Sequence, residues 1–191
     1  MHTTSSILLS LPLLNHATAL CNTNIFMTGI SAYHPTTKSQ GFNPAIIDTA
    51  IRADAIAMRK AGYNVRRTYI PPYSTPSILV FLIPSTNDPP VVLIGPEQPL
   101  TLLESQLADI EWAGTGVGFG VRGSKSQELT TRFEDIIQTY RKYAPSAPMV
   151  FNAGPQSVVG GLQRLVPLAD GCVNGTGRDL GIRTFCEICG S

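Results

Sequence analysis

Three short segments and one lone acid hold the residues best suited to binding or chemistry. Gly118-Phe-Gly-Val-Arg-Gly123 spells G-x-G-x-x-G and runs directly into Ser124. That spacing lets a backbone approach a phosphate closely, and the free N–H groups and positive dipole end of a following helix then meet its charge. Arg122 adds a planar fork of donors suited to phosphate or carboxylate. Gly29-Ile-Ser31 and Asn152-Ala-Gly-Pro-Gln-Ser157 each stand at the end of an apolar run and supply hydroxyl and amide groups. Asp54 lies inside the apolar stripe of an amphipathic segment. A carboxylate there must find a partner, reach a cleft or sit at the rim, because burying it alone is costly. The candidate ligand-binding set is therefore Gly29, Ser31, Asp54, Gly120, Arg122, Gly123, Ser124, Asn152 and Ser157, and the chemistry it points to is capture of a small anionic molecule.

Other chemistries fit less well. A dinucleotide fingerprint belongs after the first strand, with an acid about 20 residues later, whereas Gly118 and Gly120 read as part of a third strand, where glycine equally serves close helix packing. Met27-Thr-Gly-Ile-Ser31 looks like the Thr-Gly turn of a short-chain dehydrogenase, and Arg66-Arg67 would meet a 2′-phosphate, which makes NADP the cofactor to consider. Against it, Tyr33, His34 and Pro35 stand where the later glycines belong, and no Tyr-x-x-x-Lys pair occurs. Serine hydrolysis lacks a G-x-S-x-G, and no histidine follows His34 to act as base. A phosphoacceptor receiver needs an acid where the third strand ends in Gly-Val-Arg. Cys186-Glu-Ile-Cys189 is a C-x-x-C, but zinc would need four ligands and the histidines are His2, His16 and His34 alone. All four cysteines read as reduced, partly buried thiols.

Composition limits the partners. Fourteen basic and 13 acidic residues in 191 give a net charge of +1, without a block of five like charges. Nucleic acid and acidic membrane surfaces, which select dense basic patches, are not expected partners. No apolar stretch reaches the roughly 18–20 residues of a membrane-spanning helix. Charged residues make up 14% of the chain, below the roughly 25% usual in soluble domains. The shortage is local: residues 1–47 carry only Lys38 and residues 69–96 only Asp88, whereas 97–145 carry twelve charges. Ile7 to Leu14 followed by Ala17-Thr-Ala19 has the shape of a signal-peptide core and cleavage site, but no Lys or Arg precedes it. The expectation is a cytoplasmic protein, with secretion as the alternative that the Asn174-Gly-Thr176 sequon would suit.

The elements that must position these residues follow from periodicity. Residues 24–30 read as a buried strand, and 31–42 as a loop. Asn43-Pro44 caps and starts a helix that Gly62 stops. Its apolar face runs through Ile46, Ile47, Ala50, Ile51, Ala55, Ala57, Met58 and Ala61. Residues 64–70 read as a second strand. Seven of the fifteen prolines fall in 69–96, which reads as an insertion around the apolar run Ile78–Ile83. A helix capped by Thr101 extends to Trp112, and 115–121 form a third strand. A helix capped by Ser124, with Gln127 reaching back, ends at Tyr143. Residues 148–152 form a fourth strand and 155–165 a last helix. The Gly-rich tail, 169–191, has no assignment.

Strands alternating with helices call for a doubly wound, three-layer α/β sandwich of Rossmann-like or flavodoxin-like type, with a mostly parallel four-stranded sheet in the order 2-1-3-4. One domain covers 24–168, after an extension at 1–23. In such folds ligands sit beyond the carboxyl ends of the strands where strand order reverses, here between strands one and three.

Asp54 with Ala61-Gly-Tyr-Asn-Val65, Gly118-Phe-Gly-Val-Arg122, Phe133-Glu134, Ala144-Pro145, Val150-Phe-Asn152 and Pro155 together resemble a family of small Rossmann-like or flavodoxin-like proteins of bacteria and fungi, one with no established activity. The resemblance spans 24–68 and 91–168 and implies the same doubly wound sheet. Residues 1–23 and 69–90 lie outside it, and the second segment has the character of a translated intron. The functional expectation is a protein that binds an anionic nucleotide or metabolite at the carboxyl ends of its strands. The alternatives are an NADP-dependent oxidoreductase, accessory to a fungal biosynthetic pathway, and a non-catalytic interaction module presenting Ile78–Ile83.

Overall fold

The computed structural model describes residues 21–66, 91–154, 156–173 and 175–189. The chain order is β1 (Ile25–Gly29), α1 (Pro35–Ser39), α2 (Pro44–Lys60), β2 (Val65–Arg66), β3 (Val91–Ile94), α3 (Leu100–Leu107), β4 (Gly114–Val117), α4 (Phe119–Arg122), α5 (Gln127–Tyr143), β5 (Met149–Phe151), α6 (Val158–Leu165), a 3-10 turn (Asp170–Cys172) and β6 (Asp179–Phe185). All strand pairs are parallel. The order is β2-β6-β3-β1-β4-β5, so β1 lies centrally, with two-residue β2 at one edge.

Two apolar layers sandwich the sheet. Phe26, Ile94 and Val117 pack with Leu103 and Leu107 of α3 and Leu129, Ile136 and Tyr140 of α5. Ile25, Met27, Leu93 and Val150, on the other face, pack with Ala55 and Met58 of α2 and Val158 and Leu162 of α6. Alternate residues of one strand thus feed opposite layers, as the pleat requires, and the doubly wound three-layer sandwich is the observed architecture. Phe26 meets Trp112 and Tyr140 edge to face, at 5.0 and 5.9 Å between ring centres. The Tyr140 hydroxyl donates to Gly116 O (2.8 Å), which satisfies its polar tip in the core.

The glycines of β4 serve this packing. A Cβ on Gly116 would stand 2.5 Å from Met27 Sδ and 2.7 Å from Val150 O, and one on Gly114 2.8 Å from Val166 Cγ2. Only a bare backbone lets the strand and α6 approach so closely.

Several expectations are corrected. The sheet has more than four strands, because β3 and β6 insert between β1 and β2. Val91–Ile94, inside the segment read as an insertion at 69–96, is an inner strand; the run Ile78–Ile83 lies outside the described residues. The tail beyond 168 contributes β6, so the sheet extends past the boundary read from periodicity. Residues 31–42 contain α1, whose N-cap is His34 with proline at the first helical position. Pro99, not Thr101, precedes α3, which ends at Leu107. The third strand stops at Val117, and Phe119 to Arg122 turn into α4. Ser126 caps α5 and accepts from Leu129 N–H (3.5 Å). Ile46 is two-thirds exposed and not on the buried face of α2.

The cysteines are oxidised, which overturns the reading of reduced thiols: Cys21 pairs with Cys172, and Cys186 with Cys189. The first bond ties the start of the described chain to the 3-10 turn ahead of β6. Gly177 docks that connection, donating to Arg59 O (2.8 Å). A Cβ there would lie 1.7 Å from Tyr63 O, so only glycine allows the approach.

Candidate functional site

A pocket of about 140 Å³ opens at the carboxyl end of β1, between α2 and the turn into α4. Met27, Ile51, Met58 and Leu93 form its apolar walls, and Phe42 and Phe119 border it. Apolar cavities of roughly 150 Å³ hold molecules the size of benzene.

Besides the threonines Thr28 and Thr37, two polar groups interrupt the apolar lining. Asp54 projects from α2 and is buried, with Oδ1 lacking a hydrogen-bond partner among the described residues. Burial pushes its pKa above the usual 3.8, and a hydrogen bond from the Gln156 backbone N–H opposes that shift. Gln156 adopts φ +72°, a left-handed conformation that costs a non-glycine residue about 1–3 kcal/mol. Asn152, just beyond β5, is equally buried. Its Nδ2 donates to Gly154 O (2.9 Å) and its Oδ1 is unpartnered. Buried acceptors left unpaired carry a desolvation penalty of about 1–3 kcal/mol each, which a ligand offering donors would relieve.

Four of the nine candidate residues from the sequence line this pocket: Gly29, Asp54, Gly120 and Asn152. The other five stand outside its lining. Arg122 donates through Nη2 to Asn152 O and lies over the rings of Phe119 and Phe151, 5.4 and 5.6 Å from their centres. It clamps α4 to the end of β5. The Ser31 hydroxyl accepts from Tyr33 N–H (3.2 Å), and that of Ser124 from Ser126 N–H (3.1 Å). Ser157 Oγ accepts from Ala153 N–H and Gly154 N–H and donates to Gly154 O. Gly123 ends α4 on the exposed side. The α5 N-terminus begins beyond Ser126, away from the G-x-G-x-x-G glycines. Arg67 lies outside the described residues.

A second polar cluster, not foreseen from the sequence, borders the carboxyl ends of β1, β3 and β6. His34 is buried. Its Nδ1 accepts from Thr36 N–H (3.1 Å), so Nε2 carries the ring proton and donates to Glu97 Oε2 (3.0 Å). Burial pushes the Glu97 carboxyl up, but hydrogen bonds from its own backbone N–H, His34 and the Gln98 side chain outweigh it and hold the pKa below 4.5. Arg132, buried on α5, secures the loop by donating through Nη2 to the carbonyls of Gly95, Pro96 and Gln98. The His34-Pro35 pair repeats the cap-then-proline signal of Asn43-Pro44 and was the one local clue to this cluster. The pairing with Glu97 is long-range and leaves no local trace.

The fold and the pocket define a three-layer α/β protein with a small chamber at the carboxyl edge of its parallel sheet. No protein-family model, curated protein or solved structure matches the chain. No helix among the described residues is long and apolar enough to cross a membrane.

Proposed function

We propose that the chain binds a compact, mainly apolar small molecule in the β1 pocket, through a ligand end that carries hydrogen-bond donors. The observation that carries this reading is the pair of buried, unpartnered acceptors, Asp54 Oδ1 and Asn152 Oδ1, in a mainly apolar chamber. An apolar body fills the volume by dispersion and burial, and the donors fix its orientation. The test is a thermal-shift series with benzene, phenol, aniline and benzoate, on wild type and on Asp54→Leu. Phenol and aniline are expected to raise the wild-type Tm most. Asp54→Leu should shift the preference to benzene, and equal responses to all four in both proteins would defeat the proposal.

The anionic ligand expected from the sequence has one supporting observation, the buried and unpartnered Nε of Arg122. Under that reading benzoate leads the series, and Arg122→Ala abolishes its effect. NADP would place no more than a fragment of itself in this volume. Kinship with the small Rossmann-like or flavodoxin-like proteins of bacteria and fungi belongs to the proposal as well, supported by the doubly wound sheet and by Asp54 at the pocket.

Two disulfides favour an oxidising compartment, so we place the protein in the secretory route rather than the cytoplasm. A mature chain beginning near Leu20 by N-terminal sequencing is the expected result, and an intact Met1 terminus would return it to the cytoplasm.

A further inference from the structure

The two disulfides close loops of very different size: Cys21 and Cys172 are 151 residues apart, Cys186 and Cys189 only three. Because the entropy removed from the unfolded chain grows with the logarithm of loop length, the short bond stabilises the fold much less. It also stands where chemistry is placed in parallel sheets, directly after β6 at the carboxyl edge. Cys186 and Cys189 are both partly exposed, and Ile188 between them is half exposed.

Cys186 has particular neighbours. One ring nitrogen of His34, one carboxylate oxygen of Glu97 and Cys186 Sγ all lie within 4.8 Å of one another. With His34 Nδ1 occupied by Thr36 N–H, Nε2 is a donor. A metal at Nε2 would drive the ring proton to Nδ1 and break the α1 cap, so the cluster is not a metal site. It is an imidazole whose N–H is held by Glu97 in the disulfide state, with a sulfur within 4.8 Å of the ring.

We propose that Cys186–Cys189 is a thiol–disulfide exchange site that oxidises a substrate dithiol, with His34 as the positioning residue for the departing sulfur. A substrate thiolate attacks Cys189 Sγ, and the Sγ–Sγ bond breaks. Its electron pair goes to Cys186, whose thiolate draws the His34 Nε2–H from Glu97 into a shared hydrogen bond and then takes a proton from solvent. The substrate's second thiolate attacks the substrate sulfur of the mixed disulfide, and Cys189 leaves and is protonated. Two electrons and two protons have passed from substrate dithiol to protein disulfide. Glu97 holds the ring in place until the disulfide opens, and a hydrogen bond to the departing thiolate speeds the first step.

The test is graded reduction of the full chain with dithiothreitol, with thiols trapped by alkylation and mapped by mass spectrometry. Cys186 and Cys189 are expected to open at dithiol concentrations at least about ten-fold below those for Cys21 and Cys172, since short-loop, accessible disulfides are the labile ones. Cys186→Ser should collect a glutathione mixed disulfide on Cys189. His34→Asn keeps a good N-cap residue while removing the Nε2–H, and should slow opening of 186–189 without changing the rate at 21–172. Simultaneous opening of both bonds would overturn the proposal, as would a wild-type rate in His34→Asn.

Discussion

Asp54 and Glu97 border the same carboxyl edge, yet their surroundings move them in opposite directions. Asp54 is enclosed by apolar side chains, keeps one oxygen unpaired, and is pushed up toward the neutral acid. Glu97 collects hydrogen bonds from His34 and its own loop and is held down as a carboxylate. Carboxyls whose environments separate their pKa values are set for different roles. On the proposed reading the incompletely satisfied first acid faces the ligand, whereas the hydrogen-bonded second acid supports its neighbours.

The contrast depends on how the strands around each acid are held, and the largest effect should come from the bond that ties the chain ahead of β1 to the turn ahead of β6. Replacing Cys21 and Cys172 together by Ser is expected to cost about 2–5 kcal/mol in urea unfolding. Hydrogen exchange should rise first along β6, while β1 and β4 stay protected; uniform loss across the sheet would dissolve the distinction between the two sides. Next comes Arg132→Met, which leaves three loop carbonyls without their donor. A loss of about 1–3 kcal/mol is expected by the same measurement, together with a rise of the Glu97 pKa toward 4.5.

A smaller effect separates the acids by sign. Because the folded-state pKa of Asp54 is raised, its contribution to stability falls as pH climbs from 3.8 through the folded value. Glu97, lowered in the fold, contributes above 4.5 and loses that contribution as pH drops through its folded value. Comparing Tm against pH for wild type, Asp54→Asn and Glu97→Gln should therefore give difference curves of opposite slope. Near neutral pH, Asp54→Asn should be the more stable of the two variants. Parallel curves would mean that the two environments are equivalent.

Much of this architecture was legible from local pattern. Asn43-Pro44 and Gly62 bracket α2 correctly, and Leu129, Ile136 and Tyr140 mark the buried face of α5, because caps and a 3.6-residue period are short-range signals. The strands β3 and β6 were not legible. Val91–Ile94 is a four-residue apolar run, but it emerges directly from Pro89-Pro90 inside a proline-rich stretch, and Asp179–Phe185 carries a glycine and two charges in seven residues and so lacks the apolar run of a buried strand. Their places are fixed by pairing with each other, β3 also with β1 and β6 also with β2, which is long-range information. At the site, Asp54 declared itself by breaking an apolar stripe, and Asn152 by ending a strand. Arg122 and the serines stand outside the pocket lining because backbone groups take them up: Arg122 Nη2 donates to Asn152 O while its Nε keeps no partner, and the serine hydroxyls bond within their own turns. The cysteine pairings and the His34–Glu97 contact arise only from tertiary proximity.

The most direct measurement is a ¹³C NMR titration of the Asp54 carboxyl carbon, with and without phenol. The expected midpoint lies above 3.8 in the free protein and moves when phenol donates to Oδ1. A midpoint at or below that value, unmoved by phenol, would contradict the assignment of Asp54 as the unpartnered, ligand-facing acid of the pocket.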